Sequence, residues 1–582
     1  MTLYSPPLRH IGFVLHEVMD VERTLAALPP YAGVDRALID RVATEAGAFA
    51  ARVLAPTRMS GDRGCRLIDG RVLLPPGHVE AYRAFVDTGW AGLACEEGHG
   101  GQGLPMLLHS VLLEVLNSAN PAWSMFPGIA HGAYDCLRAH ASDELKARYL
   151  PPIASGKWTT SMCLTEAQAG SDLGLVRTKA EPAAGGAYQI SGAKIFISGG
   201  DHDAAENIVH LVLARTPDAP AGTRGLSLFL VPRRLPQGDG LNPAINGISV
   251  VGLEHKMGIR ASATCALQFE GALGWLIGEA GGGLACMFVM MNAARLGVGL
   301  QALGASELAY QYSLDYARQR RQGRVGTSGD AQPLLVHGDI RRMLLTQKAW
   351  TEGARLLSYW LAIQLDIENA HPDAAQRAEA ALALSMLTPV AKAFLSDNAL
   401  EVASLAVQIY GGHGYIVEHG VEQMLRDVRV FSLYEGSNGI QALDLLGRKV
   451  LADGGQKLQL LLTRMLQTVE VVGSSVTIAA MSAQLAALIA ALQELLRSGL
   501  PGATSVGAVA AHFLRALGHA VMAWRFIEAA QRAPLSDAGR SCVATAEFYF
   551  AQLFPESFYR LAAMRGGEGC LALPDEVLFA DD

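Results

Sequence analysis

The apolar residues of this chain change their period twice, and that double switch limits the fold more than any other feature of the sequence. From Asp35 to about Lys157 they recur every third or fourth position, as in VDRALIDRVATEAGAFAARVLAP, the mark of helices with one buried face. Between Trp158 and Gly278 the runs WTTSMCLTE, AYQISGAKIFIS, NIVHLVLART, GLSLFLVP and ATCALQFEGA are short, rich in β-branched and aromatic residues, and separated by Gly, Pro and Asp. That pattern predicts a mainly antiparallel β-domain. After Gly283 helical spacing returns and holds to the end. The chain is therefore read as α+β: an N-terminal helical domain (1–157, with 1–34 as an extension), a middle antiparallel β-domain (158–280), a helical bundle (281–454) and an additional C-terminal helical domain (455–582).

Composition narrows the function classes. The 582 residues hold 47 Lys+Arg against 55 Asp+Glu, a net charge of −8, and half are apolar. This reads as an ordered protein whose acidic balance, with no long run of Lys/Arg, argues against nucleic-acid binding as its main role while leaving room for a local basic patch. Its eight cysteines are scattered, with no C-x-x-C pair, and read as reduced thiols of a cytoplasmic protein. The opening MTLYSPPLRHIGFVLHEV lacks the basic, apolar and small-residue order of an export signal. Segment 471–493 carries no formal charge, but Ser474, Ser475, Thr477, Ser482, Gln484 and Gln493 dot it, so it is read as a packed helix and no membrane insertion is expected.

Four segments offer chemistry. SMCLTEAQAGSDLG (161–174) runs from a strand into a loop with hydroxyls and exposed backbone amides, and a plain strand exit explains it equally well. KIFISGG (194–200) alternates Phe196 and Ser198 onto one strand face, where a ring could cover a planar ligand or simply pack. VQIYGGHGY (407–415) stops a helix with a glycine pair and opens backbone to a ligand, or is only a helix cap. RDVRVFSLYEGSNGIQ (426–441) sets Glu435 in apolar surroundings, where desolvation favours a general base; a buried Glu satisfied by Arg426 or Arg429 is the alternative. His99, His413 and His419 lack a third ligand at metal spacing, so no metal is expected.

Together, in this order and spacing, the four segments resemble the acyl-CoA dehydrogenase family of flavoproteins. MCLTE-x-x-AGSD (162–172) and YEGSNGIQ (434–441) look like the two family signatures, with FIS where relatives usually have WIT and Ala167-Gln168 where Pro is usual. The long chain and its tail resemble a larger bacterial branch of that family.

The resemblance implies FAD as cofactor, bound by Met162, Leu164, Thr165, Gly170 and Ser171, with Phe196 and Ser198 along the other side of the flavin and Ser437 and Asn438 nearby. Arg320 would bind the pyrophosphate of a neighbouring subunit's FAD, and Gln408, Gly411 and Gly412 its adenosine end, so the protein is expected to be a homo-oligomer, a dimer if the tail covers the surface by which shorter relatives form tetramers. Glu435 would be the catalytic base, with Ser171, Arg295 and Gly436 on the substrate side. Asn292, Ala293 and Ala294 offer no rival carboxylate on the long helix. The implied reaction converts an acyl-CoA thioester to the trans-2-enoyl-CoA, as in fatty-acid β-oxidation, with electron-transferring flavoprotein as partner. Two other functions share this fold. A flavin-containing DNA-binding alkylation-response protein needs a basic tail, whereas this tail is Ala/Leu-rich with mixed charge; a nitroalkane-type flavin oxidase uses Asp where this chain has Glu435.

Overall fold

The computed structural model of the chain describes residues 4–579 except 325–328, 471–474, 499–505, 534 and 567–572. The chain divides into two compact units, one made of 3–6 with 45–297 and the other of 7–44 with 298–582.

In the 45–297 unit, helices Met106–Ala119 and Pro121–His140 meet at Asn120, whose side chain accepts from the Trp123 amide at 3.1 Å and caps the second helix. Ser142 caps the next helix, Asp143–Ala154, and two acids in its first turn complement the helix dipole. Trp123, Phe126 and Tyr134 of the second helix and Tyr149 of the third are fully buried.

The strands of this unit are β1 (Arg66–Ile68), β2 (Arg71–Leu73), β3 (Trp158–Cys163), β4 (Lys179–Pro182), β5 (Tyr188–Ser198), β6 (Asn207–Ala214), β7 (Ser227–Pro232), β8 (Pro236–Gln237), β9 (Gly240–Leu241), β10 (Ile248–Leu253) and β11 (Thr264–Ile277). The main sheet runs β3-β6-β7-β11-β5-β4, with β10 also on β11. All its pairs are antiparallel except β3–β6. That exception to the antiparallel reading has a simple cause: the chain leaves β3, builds the β4–β5 hairpin and only then returns as β6, a crossover long enough for parallel pairing. Seven described cysteines are free thiols, all but Cys65 buried, and Cys570 lies outside the described residues.

In the other unit, the Gly338–Ala370 and Ala374–Tyr410 helices pack together, and the tail helix Val506–Arg532 packs on both of them and on the short helix Asn438–Leu443. The tail is thus part of a shared core. Trp360 meets Trp524 edge-on with ring centroids 5.0 Å apart, and Arg464 pairs with Glu379 at 3.0 Å. Gly518 lies so close to Phe394 that an added Cβ would stand 2.5 Å from its ring. The N-terminal extension joins the same unit, with Arg532 donating to the Val18 carbonyl at 2.8 Å. The tail includes the helices Gln456–Glu470 and Val476–Arg497.

Among the described residues, four helices are long and apolar enough, by length and composition, to cross a bilayer, Val476–Arg497 among them. That helix buries Met481, Leu485, Leu488 and Leu492 on one face and leaves a face with Ala479, Ala483, Ala487 and Ala490 exposed; the expectation of a packed helix over 471–493 falls partly on 471–474, outside the described residues.

Candidate active site

In the sheet-bearing unit, β3 is a run of Trp, Thr, Thr, Ser, Met and Cys, all buried but the half-buried Met162, and it leads Met162 directly into the loop 164–174. Glu166 and Ala169 exchange both backbone hydrogen bonds, which closes the loop, and Asp172 accepts from the Gly174 amide at 2.9 Å. Gly170 and Ser171 are exposed at the loop's outer edge, and Thr165 is half-buried.

The loop is tied to β5 at two consecutive positions. The Ile195 amide donates to the Thr165 carbonyl at 2.9 Å, and the Lys194 ammonium donates to the Leu164 carbonyl, also at 2.9 Å. The same ammonium meets the Glu166 carboxylate at 2.9 Å, and Glu166 further accepts from the Arg177 and Thr178 amides and the Thr178 hydroxyl. Burial alone would raise the Glu166 pKa; the Lys194 charge and these donors overcome it and hold the pKa at about 2. Burial conversely lowers the pKa of Lys194. Neither residue was singled out in the sequence, although a lysine inside the apolar alternation of β5 is the signal that could have found this pair.

One residue further along β5, Lys194 and Ile197 face Leu267 and Cys265, three steps opposite two. The extra residue makes a bulge, and Phe196 takes a left-handed φ of 59° there. Its ring is 60% exposed, unlike the neighbouring Ile197, which is buried. Phe196 and Ser198 flank the buried Ile197, and the bulge, not unbroken alternation from the buried Lys194, sets their direction. The bulge re-aims an aromatic ring outward beside the loop amides, which is a fit for the flat face of a flavin.

In the other unit, the helix Val421–Val428 unwinds through a turn at Arg429–Ser432 into Leu433, Tyr434 and Glu435. Glu435 is half-buried and has φ 54°, a conformation costly for a side chain with a Cβ; Gly436 follows with φ 81°. Ser437 then caps the helix Asn438–Leu443, accepting from the Ile440 amide. Gln441, fully buried, turns back and donates to the Glu435 carbonyl at 3.0 Å. Arg426 bonds Glu422 and Arg429 bonds Ser432. Tyr434 donates to Gln301 of the long helix Gly283–Gln319, and burial, then the Glu435 carboxylate, push its phenol well above 10.

The Asn438 side chain is turned into the bundle: its amide accepts from Lys392 at 2.8 Å and donates to Asp397 at 2.6 Å. Arg320, Gln408, Gly411 and Gly412 are exposed. Gly411 has φ 58° and ψ −136°, and neither it nor Gly412 has any atom within 4 Å of an added Cβ, so the backbone there is open to a ligand. Tyr316 and Tyr410 stack at 3.9 Å just inside this helix end. Arg295, buried in the other unit, donates to Asn292 at 3.3 Å and lies over the Phe288 ring. His413 stacks on His419, and among the described residues no group of three or more His, Cys, Asp or Glu side chains is arranged to hold a metal.

A helical, sheet and helical order, with an amide-rich loop beside an outturned ring and a strained loop carrying one carboxylate, is the frame of a flavin-using oxidoreductase. The sequence matches the N-terminal domain of acyl-CoA dehydrogenases at residues 41–157, the middle domain at 161–272 and the C-terminal domain at 281–451, and an acetyl-CoA dehydrogenase C-terminal-like domain at 461–574. The chain belongs to the acyl-CoA dehydrogenase family, whose members are FAD-dependent oxidoreductases. It is 46% identical over 456 residues to the 3-methylmercaptopropionyl-CoA dehydrogenase of Ruegeria pomeroyi, covering 78% of this chain and 77% of that one. Among solved structures, Caenorhabditis elegans ACDH-11 in complex with C11-CoA shares the fold over the whole chain and 97% of its own length (TM-score 0.77, 20% identity). An acyl-CoA dehydrogenase complexed with FAD from Bacillus anthracis does so over 91% of this chain and 88% of its own (TM-score 0.70, 21% identity).

Proposed function

We propose that this enzyme introduces the α,β double bond into an acyl-CoA thioester, with Glu435 as the base. The carboxylate takes the α-proton, the electron pair it leaves behind becomes the new C=C bond, and the β-hydrogen departs with its own pair. Bound FAD supplies the acceptor for that hydride. The Glu435 and Gly436 backbone holds the thioester carbonyl, which stabilises the enolate-like charge that builds as the proton leaves. Met162, Leu164, Thr165, Gly170 and Ser171 hold the flavin from one side and Phe196 and Ser198 from the other. Ser437 contributes its backbone, since its hydroxyl caps a helix. Arg295 helps position the base, and Ser171 and Gly436 contact the substrate. Arg320, Gln408, Gly411 and Gly412 serve the FAD of a second copy in a homodimer, and an electron-transferring flavoprotein reoxidises the enzyme.

The observation that carries this reading is the left-handed backbone at Glu435, held by Gln441: strain kept at one carboxylate on a capped turn is characteristic of a working residue. The test is anaerobic titration of the FAD-loaded enzyme with a series of acyl-CoA thioesters, one bearing a thioether. Bleaching of the flavin by at least one is expected, and Glu435→Gln should bind the same thioester without bleaching. Turnover by Glu435→Gln within a few-fold of the parent overturns the assignment. Light scattering tests the dimer.

A further inference from the structure

We infer that the C-terminal tail holds the catalytic loop in place, with Arg515 as a positioning residue acting through Asn398, Asp397 and Asn438 on Glu435. The inference rests on Glu435 being the base. It starts from an ion pair within the tail. Arg515, on the Val506–Arg532 helix, meets the Glu556 carboxylate at 2.8 Å, and Arg560 meets the same carboxylate at 2.8 Å. Burial would raise the Glu556 pKa, but His519 and Arg515 outweigh it and hold it well below the usual carboxylate range. The Arg515 side chain is only 12% exposed and lies 4.8 Å over the Phe394 ring, so few positions are open to it.

With one side anchored, the guanidinium reaches out of the tail. Its Nη1 donates to Asn398 Oδ1 at 2.7 Å. Asn398 is 3% exposed and sits on the Ala374–Tyr410 helix next to Asp397. Asp397 accepts from Asn438 Nδ2 at 2.6 Å, and Asn438 is held again by Lys392 at 2.8 Å and by Ser396 at 3.0 Å. Asn438 opens the short helix whose Gln441 grips the Glu435 carbonyl. A second contact runs in parallel, because the Val506–Arg532 helix packs directly on Asn438–Leu443.

The loop needs such support. Glu435 sits in a backbone conformation that relaxes unless its neighbours over-determine it, and the residues after it provide the restraint. Two of the links, Arg515–Asn398 and Asn438–Asp397, are side-chain hydrogen bonds between buried or half-buried groups, where a lost partner is felt more strongly than at the surface, and Asn398 and Asp397 are joined as neighbours on one helix. The tail therefore acts on the reaction without touching substrate or cofactor.

The test uses the full-length, FAD-loaded enzyme and three variants: Arg515→Ala, Arg515→Lys and Asn398→Ala. The last removes the acceptor and leaves the Arg515–Glu556 pair intact, so it decides the matter even if Arg515→Ala folds poorly. Hydrogen–deuterium exchange of peptides covering 433–443 is read beside kcat, KM and FAD content. In both alanine variants exchange in 433–443 should quicken severalfold and kcat should fall about tenfold, with KM and FAD content close to the parent. Arg515→Lys should lie between. Parent-like exchange and kcat in Asn398→Ala overturn the inference, as does faster exchange spread evenly over the unit with kcat per bound FAD unchanged. Glu435→Gln is run alongside. If it stays active while 433–443 loosens in the other variants, the base assignment falls and the tail's role stands; if it is inactive and 433–443 does not respond, the reverse holds.

Discussion

The Gln441 side chain donates a hydrogen bond of 3.0 Å to the backbone carbonyl of Glu435, six residues earlier, and so closes the turn that carries the carboxylate. Gln441 is fully buried, and its amide stands where a Cβ on Gly436 would otherwise lie, 2.6 Å away. Gln441→Leu keeps the bulk and removes the donor. It should lower kcat by about tenfold and cost about 1 kcal/mol of stability, with FAD still bound. Steady-state kinetics and a melting curve on the same preparation check this, and unchanged kcat would show that the turn holds without the amide.

The backbone at Glu435 also predicts a separation of stability from activity. Glu435→Ala and Glu435→Gly both remove the carboxylate, but only glycine accepts φ 54° without a penalty. Both should be inactive, and the glycine variant should be the more stable of the two by about 1 kcal/mol. Urea unfolding of the pair is the measurement; equal stability would mean that the loop relaxes once the carboxylate is gone.

Phe196 stands 60% exposed on its bulge. Phe196→Ala should leave the sheet intact and weaken FAD retention severalfold, in line with an aromatic contact of about 1 kcal/mol. Dilution of the holoenzyme followed by flavin fluorescence gives the change in affinity. An FAD affinity equal to that of the parent removes Phe196 from the cofactor's surroundings.

Glu166 and Lys194 predict an acid-side transition. With the Glu166 pKa held at about 2 against an ordinary 4.5, the folded state gains stability above 4.5 and loses it as the pH falls from there towards 2. Glu166→Gln should flatten that acid limb. Lys194→Met leaves a buried carboxylate without its cation and should cost about 3–5 kcal/mol. Melting temperatures stepped from pH 6 to pH 2.5 test both, and an unaltered acid limb in Glu166→Gln would place the transition in other carboxylates.

The two changes of hydrophobic period carried the helical and β segments openly, because burial of one face leaves its spacing in the residues themselves. Glu435 was equally visible, since a carboxylate between Leu433, Tyr434 and a glycine turn is out of place for a surface loop. What stayed hidden depends on partners far away in sequence. Strand alternation puts Phe196 and Ser198 on one face, but only the pairing of β5 with β11 reveals the extra residue that turns Phe196 outward. The resemblance places Asn438 near the cofactor, but no local signal shows that its side-chain amide is held by Asp397 and Lys392, more than forty residues away. The parallel pairing of β3 with β6 follows from the route of the chain, and no local signal carries it.

The close approach of Gly518 to Phe394 bears on how enzymes of this kind exchange parts over time. A ring atom 2.5 Å from where a Cβ would stand cannot swing aside as a flexible side chain could, so any larger residue at 518 would wedge the tail helix off the bundle. Tail and bundle must therefore be inherited as a matched set: a tail transplanted onto a bundle shaped without it would meet the wrong relief, and a bundle stripped of its tail would expose Phe394 and Trp360 as a sticky scar.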